Sequence, residues 1–328
     1  MSKRFCNLEK ILELVRTKST QFQTKYLPKA PVGSRSTFGG TLIAQSLLAS
    51  LNCVPRDFIP ISLHAYFING GNPTVPITYD VLDLRKGNNF IHKEVKAYQF
   101  QKLIFQSMIL FSREINVTNG YDHLKQLKPG ENDTFIEASL LFEHDVINGE
   151  VSRKLKSIKK MNDPMYFEKL RNSFEVEPME YHFPATFFNN KEDTSHCNYC
   201  VELRDECFVE EYDDRETTLI TPFNDKRYDY VTFAYLTDSH LLLTLPFFKK
   251  LPLYVHDFSV SLDHVIYFHN LPSRHNPIYV SITNSKSKAH KHLMNAEYYD
   301  RQTGTIIASV SQEGFVVYDY NKLIKAKL

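Results

Sequence analysis

Asp229 to His269 reads DYVTFAYLTDSHLLLTLPFFKKLPLYVHDFSVSLDHVIYFH, and its first half decides the fold. Tyr230, Val231, Phe233, Ala234, Tyr235, Leu236, Leu241, Leu242, Leu243 and Leu245 cover every side of a helical wheel, so the spacing predicts a helix inside a core rather than on one. Asp238 falls in the middle of it. A carboxylate there competes with the backbone for hydrogen bonds and costs several kcal/mol to desolvate unless partners meet it. Either it reaches solvent or a backbone N–H along a narrow face, or it faces a cavity and acts as a base. Periodicity leaves both readings open.

Working outward, the strand pattern FSVSLDHVIYF (258–268) follows, then PIYVSITNS, HLMNAEYYD and TGTIIASVSQEGFVV. The same order occurs upstream. A helix from Asn7 to about Val15 precedes a proline-rich extended piece. Gly39 and Gly40 then open a buried helix, TLIAQSLLASL, followed by FIPISLHAYFI, PITYDVLDLR, NNFIHKEVKAYQ and KLIFQSMILFS. ISLHAYFI at 61–68 echoes VSLDHVIYF at 260–268. Ser62 and Ser261 mark a period far too long for a solenoid and suited to a duplicated unit, a buried helix wrapped by antiparallel strands. Between the copies, from Arg113 to about Glu177, a polar segment with helices expected at DTFIEASLLFEHD and near KKMNDPMYFEKL reads as a connector packed on the surface. EYHFPATFF and CVELRDECF read as strands before the second helix.

The 328 residues, 42% hydrophobic and 23% charged, suit a globular chain with a sizeable core. Lys plus Arg (39) balances Asp plus Glu (38), which leaves no global positive field for nucleic acid. No run approaches the roughly 18 apolar residues of a membrane span, and the start has no secretory h-region. Five cysteines make no disulfide framework. His196, Cys197, Cys200 and Cys207 cluster in sequence, but no second ligand pair follows, so they stay outside the mechanism. The sequence ends Ala326, Lys327, Leu328, similar to a Ser-Lys-Leu peroxisomal address.

STFGGTLIAQSLLAS, SLHAYFINGGNPTVPITYDVLDLRKGNNFIHKEV, AYQFQKLIFQSMILF, FAYLTDSHLLL, FSVSLDHVIYFH and ASVSQEGFVVY together resemble the type II acyl-CoA thioesterases of the double hotdog class, and among these the fungal peroxisomal members. The resemblance runs from about Asn7 to Tyr318 and is poor in the connector and from Asn189 to Asp225. It implies an α+β fold of two tandem hotdog repeats: residues 1–115, a connector over 116–177, and residues 178–328 carrying the active centre. It further implies a catalytic aspartate on the second buried helix, a Thr or Ser two residues before an Asp-His pair, and a Gln before Glu-Gly. These fall on Asp238, Ser261 and Gln312.

The implied reaction is hydrolysis of fatty acyl-CoA to free acid and coenzyme A, without cofactor or metal. Asp238 would deprotonate a water that Ser261 and Gln312 hold in line, and the thiol, with a reference pKa of about 8.5, leaves readily. The sequence contains no G-x-S-x-G elbow. Gln45, at the position matching Asp238 in the first copy, cannot act as a base, so one centre per chain is expected. Gly39 and Gly40 suit either a ligand's approach to backbone or tight packing. His64, His264 and His269 read as ordinary sheet histidines, and Lys286, Lys288 and Lys291 as a solvated cluster rather than a phosphate site. Periodicity puts Asp263 on the face of Ser261, but the resemblance gives it no role. The rivals are a catalytically silent acyl-CoA-binding or scaffold protein and a hotdog hydratase. Partners expected are the acyl-CoA substrate, an import receptor reading Ala326-Lys327-Leu328 in transit to the peroxisomal matrix, and a second copy in a homo-oligomer.

Overall fold

The computed structural model describes residues 7–113, 123–127, 134–149, 151, 165–204 and 219–318. Helix α1 (Leu8–Leu12) is capped by Asn7, whose side-chain oxygen accepts the Lys10 N–H at 3.0 Å. The helix stops short of Val15 because the chain turns extended at Glu13. Val15 lies exposed on β1 (Leu14–Lys18), paired with β2 (Gln21–Thr24). Helix α2 (Gly39–Leu51) follows, with Leu42, Ile43, Leu47, Leu48 and Leu51 all buried. Each such side chain contributes roughly 1.5–3 kcal/mol by leaving water.

The strands β3 (Phe58–Phe67), β4 (Thr78–Lys86), β5 (Phe90–Gln99) and β6 (Lys102–Arg113) then form an antiparallel run, placed as alternation predicts. Strand β7 (Phe135–Glu137), helix α3 (Ala138–Phe142), which runs on through a wider turn to Ile147, and helix α4 (Tyr166–Val176) lie in the segment read as a surface connector. It is not merely superficial. Phe142 and Phe174 reach inward and meet Phe188 at 5.2 and 6.3 Å between ring centroids.

Strands β8 (Met179–Pro184) and β9 (Cys197–Leu203) precede helix α5 (Tyr228–Leu236). The second set is β10 (Phe258–Ser261), β11 (Asp263–Phe268), β12 (Ile278–Lys288), β13 (Lys291–Asp300) and β14 (Ile306–Val317). The described strands join in one sheet, in the order β1-β2-β4-β5-β6-β3-β11-β14-β13-β12-β9-β8-β7, with β10 also on β14. Reading outward from the centre, β3-β6-β5-β4 on one side is mirrored by β11-β14-β13-β12 on the other. The antiparallel pairing of β3 with β11, from Tyr66 opposite Asp263 to Ser62 opposite Tyr267, joins the two copies. Helices α2 and α5 pack together against this sheet. Buried Arg227 ties them further: its guanidinium pairs with Asp225 at 2.7 Å and donates to the Pro55 and Phe58 carbonyls beyond α2.

One expectation fails. The second core helix is not long, since it ends at Leu236, and Asp238 lies in the turn after it. His240 adopts a left-handed backbone, with φ of 60°. Such a conformation in a non-glycine residue costs on the order of 1–3 kcal/mol. The His240 ring offsets that cost by packing 4.5 Å from Tyr181 and stacking on Phe174 at 5.9 Å. The apolar run Leu241–Leu245 is therefore buried in turns, and its all-round hydrophobicity reports burial rather than helix.

Candidate active site

Thr237 caps α5, its N–H bonding to the Phe233 carbonyl, and Ser239 N–H bonds to Leu236. This turn aims the Asp238 side chain at the first residues of α2. Gly40 N–H donates to the carboxylate there, at a helix end that favours negative charge. The two glycines have separate reasons to lack a side chain. A Cβ on Gly39 would lie 2.5 Å from Asp238 Oδ2, and one on Gly40 would lie 2.2 Å from the Tyr235 carbonyl oxygen. Of the two readings left open for this pair, tight packing is present, against the Asp238 carboxylate and the α5 backbone.

Gln312 sits on the buried face of β14, only 1% exposed, and Ser261 closes β10 opposite Gly314. Gln312 Nε2 donates to Asp238 Oδ1 and to Ser261 Oγ, each at 2.7 Å, and Ser261 Oγ stands 3.5 Å from Asp238 Oδ1. Three side chains that lie far apart in sequence converge as expected. Asp238 keeps a little accessible surface but is surrounded by protein. Burial raises its carboxyl from 3.8 to about 6, while bonds from Gln312, Gly40 and Ser261 pull in the other direction. Gly314 leaves room for Leu242, whose methyls would meet an added Cβ at 2.3 Å.

Other expectations resolve locally. Gln45 is fully buried and fixed structurally, accepting from the Tyr79 hydroxyl at 2.7 Å and donating to the Ile11 carbonyl at 3.1 Å. Asp263 accepts the Glu313 N–H at 2.7 Å and so secures the break between β10 and β11. His64 lies on the exposed face, edge-on to Tyr267, and His269 pairs with Ser309. Lys286 pairs with Glu313. Cys197 and Cys200 are buried on β9, three residues apart and in separate apolar clusters, a spacing that sends strand side chains to opposite faces. Cys207 lies outside the described residues. Sequence reasoning missed the Gly40 N–H, which only the glycine pair hinted at, and it treated His264 as ordinary although this residue is fully buried beside Gln312.

The family model described as Acyl-CoA thioesterase matches residues 214–315, and that of the Acyl-CoA thioesterase N-terminal domain matches 28–112. The chain is 49% identical over 339 aligned positions to peroxisomal acyl-coenzyme A thioester hydrolase 1 of Saccharomyces cerevisiae, covering 98% of this chain and 97% of that one. The chain belongs to the acyl-CoA thioesterase family. A further member, acyl-CoA thioesterase 2 of Haemophilus influenzae, is 26% identical over 288 positions, covering 87% of this chain and 89% of its own. Among solved structures, acyl-CoA thioesterase II TesB2 from Mycobacterium marinum superposes with a TM-score of 0.65 at 18% identity, over 96% of this chain and 99% of its own. A hot dog fold protein from Alicyclobacillus acidocaldarius superposes at 0.62 and 12% identity, over 95% of this chain and 98% of its own. The architecture of this acyl-CoA thioesterase is the double hotdog. No helix among its described residues is long and apolar enough to cross a membrane.

With Asp238 as the expected base, the position of its carboxyl predicts a pH dependence. A base must be ionised to accept a proton, so kcat/KM should fall about tenfold per unit as pH drops below about 6. A profile of kcat/KM between pH 4.5 and 8 checks this. A limb displaced to the ordinary aspartate range would contradict the buried setting.

Proposed function

We propose that this acyl-CoA thioesterase hydrolyses fatty acyl-CoA by direct attack of a water held by Asp238, Ser261 and Gln312. The observation that carries this reading is the convergence of the three side chains on one enclosed carboxylate. The water oxygen forms the new bond to the thioester carbonyl carbon while Asp238 takes its proton. The tetrahedral intermediate then expels coenzyme A as the carbon–sulfur bond breaks, and the proton on Asp238 passes to the departing thiolate. A carboxyl at about 6 suits both transfers, because it is ionised at neutral pH yet more basic than an ordinary aspartate. The positive end of the α2 dipole, at Gly39 and Gly40, supplies polarisation for the developing oxyanion in this reading.

Direct attack forms no acyl-enzyme. Rapid mixing with a chromogenic thiol trap should therefore give linear thiol release without a burst, and added hydroxylamine should yield no hydroxamate beyond its own background reaction. A stoichiometric burst, or hydroxamate formed at the expense of free acid, would replace this mechanism with a covalent one. The intact carboxylate and its partners weigh against the silent acyl-CoA-binding alternative.

The division at residues 115 and 177, with the centre in the second repeat, is part of the same reading, as is self-association of the fused repeats. We also infer a peroxisomal location, supported by the yeast relative's name, with Ala326-Lys327-Leu328 as the address read by an import receptor. These residues lie outside the described ones. Removing them should move a fluorescent fusion from peroxisomes to cytosol, and unchanged targeting would refute the assignment.

A further inference from the structure

His264 is completely buried on β11. The β11–β14 register sets Val265 opposite Ser311, so one further step brings His264 opposite Gln312 on the same buried face. Its Nε2 lies 2.9 Å from Oγ1 of Thr237, the residue immediately before Asp238. Two enclosed atoms at this spot have no hydrogen-bond partner among the described residues, His264 Nδ1 and Gln312 Oε1. An unsatisfied buried polar atom is costly, and two on facing side chains point to a common solution.

The donors fix what that solution is. Gln312 uses its amide nitrogen on Asp238 and Ser261, which leaves its oxygen for the facing imidazole. An oxygen can only accept, so Nδ1 must carry the proton. Nε2 is then an acceptor, and the Thr237 hydroxyl supplies it. That hydroxyl stands 2.9 Å from the Ala234 carbonyl and 2.9 Å from His264 Nε2, and its single proton goes to one of them.

We propose that His264 is a positioning residue for the thioesterase reaction: Thr237 donates to its Nε2, its Nδ1–H donates to Gln312 Oε1, and this relay holds the amide nitrogen toward Asp238 and Ser261. The proposal rests on the reading of those three residues as the set that holds the water. With the other tautomer, Nδ1 would attract the amide nitrogen, and the flipped oxygen would face the Asp238 carboxylate and oppose its ionisation. Burial keeps His264 neutral, lowering it to about 3, so the relay does not titrate in the working range. The titratable groups around it are Asp238, reached through Gln312; Asp263, bonded to the Glu313 N–H; and the Tyr298 phenol, which donates to the Thr237 carbonyl.

Three variants of the full chain test it: His264→Leu, His264→Asn, which retains an N–H near the Nδ1 position, and Thr237→Val, which removes only the hydroxyl. kcat, KM and the kcat/KM pH profile are read for each, with Asp238→Asn alongside. His264→Leu should lose about ten- to a hundredfold in kcat with little change in KM. Its acid limb should move up by about one pH unit, since the carboxylate loses an N–H donor. His264→Asn should restore most of the rate and return the limb, and Thr237→Val should show the same upward shift in smaller measure. An acid limb unmoved in both His264→Leu and Thr237→Val, with Asp238→Asn inactive, would overturn the relay and leave the water-holding set standing. Full activity in Asp238→Asn would overturn both. Should His264→Leu fail to fold, the limb of Thr237→Val alone decides.

Discussion

Replacing Asp238 with asparagine is expected to lower kcat for acyl-CoA hydrolysis by about 10²- to 10⁴-fold, the range that positioned general-base help supplies. The substitution is nearly isosteric, and an amide oxygen can still accept from Gln312, so KM should change far less than kcat. The same variant should be more stable than the wild type at pH 7. The folded chain holds the Asp238 proton up to about 6, whereas the unfolded chain releases it near the ordinary value of 3.8. Stability from this group is therefore complete below about 4, declines as pH rises toward 6, and stays at its lower level above that. The cost at neutral pH is on the order of 2 kcal/mol once the partial solvent access of the carboxylate is allowed for. Asparagine carries no such cost. Thiol release and thermal unfolding of both proteins at pH 7 check the pair of outcomes: activity should fall while the unfolding midpoint rises. An inactive variant with a lowered midpoint would point to structural damage instead of a missing base.

The two glycines at the start of α2 should separate chemistry from folding. An alanine at position 39 directs its Cβ at Asp238 Oδ2 (2.5 Å) and at the Phe67 ring (2.8 Å), both of them side chains that can swing aside. The helix gains propensity of about 1 kcal/mol in exchange for glycine, so stability should change little. The carboxylate, however, is pushed from its place beside Gln312 and Gly40 N–H. A misplacement of this kind costs on the order of 10²-fold in rate. An alanine at position 40 meets the Tyr235 carbonyl oxygen at 2.2 Å, which is backbone of the facing helix and cannot rotate away. Overpacking between α2 and α5 should destabilise Gly40→Ala by roughly 1–3 kcal/mol or more. Gly39→Ala should therefore be folded and slow, Gly40→Ala impaired in both respects. Equal kcat in Gly39→Ala and wild type would mean that Asp238 is not held where the reaction needs it.

The sheet was largely legible in the sequence because its signal is local. HKEVKAY and SVSQEG alternate faces residue by residue, and strands β5 and β14 fall where that alternation puts them. Asp238 stood out for a similar reason, as a charge in an apolar run. What the run could not reveal was where the helix stops. Its end depends on His240 taking a left-handed backbone inside an aromatic pocket built from β8, β9 and α4, residues tens of positions away. Val15 was misassigned because four apolar residues at helical spacing also fit a short helix followed by an edge strand. Asp263 and His264 are adjacent polar residues of one strand, and sequence gives no sign that one serves a backbone N–H while the other lies beside the Gln312 amide. Those assignments follow only from the β11–β14 register.

A crystal structure of Asp238→Asn with an intact acyl-CoA bound would test the central claim most directly. It is expected to show the thioester carbonyl carbon about 3–3.5 Å from a water that hydrogen-bonds to Ser261, Gln312 and the introduced asparagine. A thioester seated out of reach of those three side chains, or a water there with no line to the carbonyl carbon, would contradict the account.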